Sequence, residues 1–307
     1  MKRAIVLFIV LLLVCAIALA ITQFLINPQT AQSIAVKSRT ELTAKKANVL
    51  SYKGVSFTFD PSIASSVEPR TILAQNGEQV CDIWPEHPRF EFTGYNRRKE
   101  LCCNEPNITV FPIDKFSAAA APYKEVSGSR SYNAVDEEVR VLKLLLATKP
   151  LTASIGRFLG KVRGEYGCGP MPFLPLVEAC MTFTAHHRYL NFKNGKGVFF
   201  LAQWDRETTQ INNGWLEYCF QGITDDGKYY VSAGFPVAAP FLPNGDEPDV
   251  MEWNEKNYLL SHKSGKYLDY LRPVKQKLEA LPDEKYQPVL NSLEQLIRSL
   301  EIKTIAN

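Results

Sequence analysis

The chain opens with two cations, Lys2 and Arg3, and an apolar run from Ala4 to Ala20. The run extends to Ile26 with only Thr22 and Gln23 as polar interruptions. A membrane-spanning helix needs about 20 apolar residues to cross roughly 30 Å of hydrocarbon, whereas the apolar region of a signal peptide has about 7–15. Length therefore favours a retained N-terminal hydrophobic helix as an anchor, while Ala18-Leu19-Ala20 is a small-x-small cleavage pattern that favours removal. Lipidation at Cys15 is disfavoured, because Val14 stands where a lipoprotein signal has a small residue. The positive-inside rule keeps Lys2 and Arg3 cytoplasmic in either case. The body of the chain is then extracytoplasmic: single-pass with its N-terminus inside, or secreted after cleavage near Ala20. A buried helix of a soluble protein does not fit, since Ile5–Ala20 has no polar face.

Residues 27–50 are polar, rich in Thr, Ala, Ser and Lys, and read as a stalk with some helical character over Thr40–Val49. Alternation begins near Ser51. Val55, Phe57 and Phe59 alternate with Ser56 and Thr58, the period of a half-buried strand, and Asp60-Pro61 ends it. Phe90 and Phe92 repeat the pattern, and Ile108–Ile113 gives a third strand broken by Pro112. Val135, Val139, Leu142 and Leu146 then recur at helical spacing behind an Asn133 cap, with acidic residues in the first turn and Lys149-Pro150 as a stop. Leu151–Gly169 carries five glycines and reads as a loop with one helical turn.

Met181–Phe192 and Val198–Trp204 read as a hairpin turned at Asn194-Gly195, with glycine taking the positive φ of a type I′ turn. Leu216–Gln221 and Tyr229–Val237 form a second hairpin about Asp225-Asp226-Gly227, which makes four strands of an antiparallel meander. Pro236, Pro240, Pro243 and Pro248 mark a loop leaving the sheet. Tyr267, Leu271 and Leu278 suggest a helix that Pro273 kinks or splits. Pro288 suits a first helical position, and Leu290, Leu293, Ile297 and Leu300 share one face, with Glu294 assigned to the solvent side. Glu301–Lys303 adds a short strand. The order strands, helix, strands, helices predicts an α+β fold, a mainly antiparallel β-sheet packed by helices and preceded by an N-terminal hydrophobic helix. The division is 1–26 signal peptide or anchor, 27–50 stalk, and 51–307 a single exported domain.

Three stretches carry a resemblance: Tyr52-Lys53-Gly54-Val55-Ser56-Phe57-Thr58-Phe59-Asp60-Pro61, Met171-Pro172-Phe173-Leu174-Pro175-Leu176, and Gly222–Ser232, completed by Leu293–Ile302. In the order of its elements the chain resembles a family of exported bacterial proteins without assigned activity, over most of Ser51–Lys303. More distantly, the opening strand and closing helix are similar to PsbP-like domains, which implies an α/β/α sandwich over an antiparallel sheet. Neither resemblance supplies catalytic residues.

Hydrophobic residues make up 46% of the 307 and charged residues 22%, enough to exclude disorder of the whole chain. The net charge is +3, two of which sit at Lys2 and Arg3, so the body lacks the basic excess of a nucleic-acid-binding protein. Six cysteines follow the membrane segment: Cys81, Cys102, Cys103, Cys168, Cys180 and Cys219. An even number in an exported chain fits disulfides, with fifteen full pairings open. Cys81 with the Cys102-Cys103 pair is a sensible partnership across the Phe90–Phe92 strand. No C-x-x-C is present and the four histidines lack ligand spacing, so no metal is expected.

His186 and His187 point to opposite faces of their strand, one toward solvent and one packing near Tyr189. A pairing of Cys180 with either as nucleophile and base lacks a third orienting group. Asp225-Asp226-Gly227 lacks the further oxygens of a calcium loop, and Gly164–Gly169 has no phosphate-cradling pattern. Trp204, Trp215 and Trp253 read as core or rim. No catalytic residue and no cofactor are expected. The reading is a non-catalytic exported domain, membrane-anchored through residues 4–26 or secreted, that binds a protein partner or supports an assembly. The alternative is an exported hydrolase with a cysteine or carboxylate site. A reporter that works only after export, fused behind Asn307, should be active; activity of a cytoplasm-only reporter instead would reject this topology.

Overall fold

The computed structural model describes residues 47–96, 105–127, 130–163, 170–257, 259–260 and 264–304. The expected N-terminal hydrophobic helix, the stalk over 27–46, Cys102, Cys103, Cys168 and the glycines of 164–169 lie outside these residues. No described helix is long and apolar enough to cross a membrane.

The first hairpin is β1 (Asn48–Tyr52) and β2 (Val55–Phe59), so the first strand starts within the expected stalk and Val49 is extended. Lys53 and Gly54 join the two with φ of 43° and 81°, the double positive φ of a type I′ turn. A Cβ on Gly54 would also meet the Thr304 carbonyl oxygen at 2.6 Å. The chain continues through β3 (Ser66–Ile72), β4 (Gln75–Asn76), β5 (Ile83–Trp84), β6 (His87–Thr93) and β7 (Asn107–Pro112) into helix α1 (Ile113–Ala120). A hairpin of β8 (Lys124–Ser127) and β9 (Arg130–Asn133) leads to α2 (Ala134–Thr148). Asn133 caps α2 as expected, its side chain accepting from the Val135 and Asp136 amides.

Leu151–Gly169 departs from its loop reading. After a 3₁₀ turn, Ile155–Arg163 forms helix α3. Ile155, Phe158, Leu159 and Val162 recur at i, i+3, i+4 and i+7 and pack on the core. Gly156 and Gly160 have open space where a Cβ would be. The glycines cost helix propensity, and the apolar stripe overrides them.

The meander follows: β10 (Cys180–Phe192), β11 (Gly195–Asp205), β12 (Glu217–Thr224) and β13 (Tyr229–Pro236). A seven-stranded antiparallel sheet results, ordered β10-β11-β12-β13-β7-β6-β3. The first turn differs from expectation. Phe192 pairs with Gly195, so Lys193 and Asn194 form the turn and Gly195 lies in the strand with ordinary φ. Glycine is required there by space, because a Cβ would sit 2.0 Å from the Phe192 ring. At the second turn Gly227 does take a positive φ of 71°.

Past the meander, α4 (Pro248–Asn257) occupies part of the expected loop. α5 (Gly265–Ala280) runs unbroken through Pro273, and α6 (Leu290–Arg298) starts two residues after Pro288. β14 (Glu301–Ile302) pairs with β2 in a three-stranded sheet β1-β2-β14.

The large sheet is covered on both faces, which is why Val198–Ala202 reads as a continuous apolar run. One face carries Phe199, Leu201, Tyr218, Phe220, Val231 and Ala233 against α5, α6 and β2. The other carries Val198, Phe200, Ala202, Cys219, Ile223 and Tyr230 against α1, α2 and α3. Leu293, Ile297 and Leu300 sit in the first layer, where the sequence places them. Glu294, expected in solvent, is 5% exposed. Ile297→Ala should therefore cost about 2–5 kcal/mol in a urea melt. Glu294→Ala should cost at least about 1 kcal/mol, by stripping an acceptor from buried donors; a neutral result would show that the helix face is misassigned.

Candidate functional site

Two arrangements concentrate polar chemistry. The first follows from an irregularity in β10. Ala185 pairs with Leu201 and Arg188 with Phe199, so His186 and His187 together face Phe200 across a bulge, and His186 has φ of 55°. The extra residue turns both rings inward, on opposite sides of the sheet. His186 is buried near Tyr286 and Tyr218, with ring centroids 5.7 and 6.3 Å away. His187 stacks on Phe200 at 6.3 Å and shares a 3.1 Å hydrogen bond with the Thr184 hydroxyl. Neither is the solvent-facing residue expected, and Phe200, not Tyr189, is the stacking partner.

Beyond the bulge, Arg188 donates to both oxygens of Asp283 at 2.5 and 2.6 Å and to Glu294 Oε1 at 3.0 Å. The Tyr218 hydroxyl donates to the same Glu294 oxygen at 2.9 Å. Glu279 accepts from the His186 amide at 2.6 Å, and His186 Nε2 lies 3.3 Å from Asp283. Burial pushes the Asp283 carboxyl up, but the Arg188 hydrogen bonds and charge leave it below its ordinary value. These bonds tie α5, the following turn and α6 to β10 and so lock the fold, while His186 Nδ1 is buried without a hydrogen-bond partner.

The cysteines divide. Cys81 and Cys219 stand as thiols, so the expected bridge from Cys81 is not made. Cys180 is disulfide-bonded, with its partner outside the described residues. It also starts β10 six residues before His186, roughly 20 Å along an extended strand. The Cys180–histidine pair is thereby excluded. The Cys81 thiol, with an oxygen of Glu178 at 3.7 Å, is pushed up by burial and by the Asp82 and Glu178 charges. Cys81, Asp82 and Glu178 lie close enough to share an ion, but Glu178 is held by Arg206. Trp204 packs on Phe173 at 4.3 Å and Trp253 on Tyr270 at 4.9 Å, while Trp215 is at the rim.

The second arrangement is an open cleft of about 770 Å³, within the range of about 300–1,000 Å³ typical of small-ligand sites. Its walls come from five places: the β1–β2 turn with Lys53, the start of β6, the N-terminal end of α1, the first turn of α2 with Asp136, and the β12–β13 turn with Lys228 and Tyr229. Lys53 pairs with Glu86 at 3.2 Å across the rim. The β12–β13 turn is fixed by Asp226, whose Oδ1 accepts from the Thr224 hydroxyl at 2.6 Å and the Lys228 amide at 3.0 Å. The Ile113 amide donates to the Lys228 carbonyl at 2.9 Å, joining α1 to that turn. Ser117 donates to Asp136 at 2.6 Å on the inner wall.

His87 forms part of this wall and is only 5% exposed. Its ring packs 4.3 Å from Phe111, and Nδ1 lies 2.7 Å from the Pro85 carbonyl oxygen. A carbonyl can only accept, so Nδ1 carries the proton and Nε2 presents a lone pair. Burial, reinforced by the Arg89 charge, pushes the imidazole down to about 4. Sequence reasoning passed over His87, whose signal was its place between Pro85 and Pro88.

No family model, curated protein or solved structure matches the chain.

The paired histidines carry a pH signature. Burial, with Lys275 and His186, also pushes His187 down to about 4. The unfolded chain binds that proton near pH 6.5 and the folded chain does not. Stability therefore falls as pH drops from about 6.5 toward 4, by at most about 1.4 kcal/mol per pH unit for each such histidine. His187→Phe, which keeps a ring on Phe200, should flatten this slope in urea melts at pH 7, 6 and 5. An unchanged slope would place the charge change elsewhere.

Proposed function

We propose that this chain is a non-catalytic exported domain, held at the membrane by residues 4–26 or released by cleavage, that binds its partner at the cleft between α1 and the β12–β13 turn. The observation that carries the reading is His87. A nearly enclosed imidazole in the wall of an open cleft, its tautomer set by a backbone carbonyl and its second nitrogen without a hydrogen-bond partner among the described residues, is suited to recognition. The likeness of the opening strand and closing helix to PsbP-like domains favours the same class.

The cysteine form of the hydrolase alternative needs an activated nucleophile. A cysteine nucleophile is activated by a lowered pKa, and the surroundings of Cys81 raise it. Cys180 is in a disulfide, and Cys219 is buried 3.7 Å from Glu217 Oε2. At the cleft, the Ser117 hydroxyl donates straight to a carboxylate, with no imidazole between them to take a proton and pass it to a leaving group.

The test uses the full chain in a zwitterionic detergent, with thermal unfolding followed against envelope components: oligosaccharides, acidic lipid vesicles and synthetic peptides. A ligand of the folded state raises the midpoint by mass action. At least one component should do so and be recovered chemically unchanged. Asp114→Trp, on the exposed first turn of α1, should abolish the shift by filling the cleft. Cleavage of the component, a shift that survives Asp114→Trp, or no shift with any component would overturn the proposal.

A further inference from the structure

We propose that the cleft takes a neutral, polyhydroxylated ligand, an oligosaccharide, with one hydroxyl donating to the lone pair of His87 Nε2; this rests on the binding role given to the cleft above.

The argument begins with what His87 can accept. Nε2 has no hydrogen-bond partner among the described residues and is not sealed from the cleft. A ligand donor placed there makes a hydrogen bond for which no described protein group competes, so the site favours a ligand with a donor to place there. Carboxylates and phosphates have no proton to donate at neutral pH. Burial keeps the imidazole neutral, so it offers no charge to attract them. An ammonium has protons, but the wall's three lysines and three carboxylates leave no net negative charge to offset the hydration it would lose. A hydroxyl donates without bringing charge.

Charge balance points the same way. The three lysines are matched by Glu86, Asp114 and Asp136. Lys53 lies against Glu86, and Lys228 lies 3.8 Å from Asp226. Such a wall has little net field to concentrate an anion or a cation. It is dense in both donors and acceptors, which suits hydroxyls, since each hydroxyl both donates and accepts. Between these groups lie the apolar surfaces of Pro88, Pro112, Ile113 and the Tyr229 ring. A sugar ring has the matching two-sided chemistry, with hydroxyls at its edge and C–H groups on its faces.

The closing experiment titrates the full chain, in a detergent without a sugar headgroup, with four probes: chitotetraose and maltotetraose as neutral oligomers, tetragalacturonate as the acidic one, and the chitosan tetramer as the basic one. Binding is measured by calorimetry, and the ¹⁵N resonances of labelled histidine rings report the contact. A neutral oligomer should bind and shift the His87 Nε2 resonance while Nδ1 stays protonated. Its affinity should change less than about twofold between about 50 and 300 mM salt, because no net charge is screened. His87→Phe, which keeps the ring on Phe111, should weaken binding about tenfold, the worth of one neutral hydrogen bond. The salt and ring measurements use the unaltered protein and do not depend on that variant folding. Tighter, salt-sensitive binding of a charged oligomer at the same resonance would overturn the inference and leave the cleft a binding site. If no probe moved the His87 resonance, the inference would fall, and the cleft's binding role would then rest on the vesicles and peptides alone.

Discussion

Arg188 carries the one charge on which the arrangement of the C-terminal quarter depends. A guanidinium at a sheet–helix junction loses part of its hydration, and only a geometry that restores every lost hydrogen bond makes that tolerable. Asp283 meets it with two oxygens and Glu294 with a third. Asp283 lies in the passage from α5 to α6 and Glu294 in α6, so satisfying the guanidinium fixes that passage and α6 on β10, while Glu279 of α5 accepts from the neighbouring His186 amide. The bulge at His186–His187 serves the same end. Without the extra residue the strand period would present Arg188 to the opposite face, with nothing there to receive it. Once α6 is set, its end places Ser299 against the Thr58 backbone, and β14 completes the small sheet.

The turn between β10 and β11 joins the same construction. The Asn194 side chain donates to the Ile302 carbonyl and accepts from the Ile302 amide, at 2.5 and 3.0 Å. A side-chain amide thus pairs with β14 as a neighbouring strand would. A sheet covered on both faces must also satisfy its polar residues internally. Gln221, fully buried, accepts from the Leu174 amide and the Tyr230 hydroxyl and donates to Ser232. Glu138 accepts from the Phe173 amide. The Met171–Leu176 stretch is therefore held to the sheet and α2 by side chains reaching its backbone, and it covers that layer without secondary structure of its own.

The sequence made the elements legible wherever one period prevailed. Alternation marked β2 and β6, turn residues between runs of strand formers marked the meander, and the 3.6 period with its Asn133 cap marked α2. It failed where a local signal was overridden by a contact distant in sequence. Asn194-Gly195 looks like a turn, yet Gly195 is a glycine because Phe192 and Ile223 crowd it. Glu294 looks like a surface residue because a helical wheel cannot know that Arg188, over a hundred residues earlier, ends beside it. The glycines of α3 hid a regular apolar stripe, because propensity speaks residue by residue and packing acts on the whole face. The cleft was the least legible feature. Its walls come from five separated segments, and its one distinctive group is a histidine whose meaning lies in a carbonyl two residues away.

That histidine connects the fold to its proposed use. His87 begins the strand that joins β3 to β7, and Phe111, against its ring, ends β7 just before α1. Phe111 also packs on Phe116 of α1 at 5.0 Å. The imidazole is thus placed by the same aromatic contacts that seat α1 on the sheet, and it cannot swing to solvent without disturbing them. Rigid placement is what a recognition group requires, because the entropy of holding an acceptor in position has already been lost on folding and is not charged again when a ligand arrives. The lysines at the rim are long and partly exposed, and they can adjust to what enters. A fixed neutral acceptor within, surrounded by movable and mutually balanced charges, sets the order of discrimination. In the proposed use, the inner group would test whether the ligand brings a donor, and the rim would accommodate the rest of its hydroxyls.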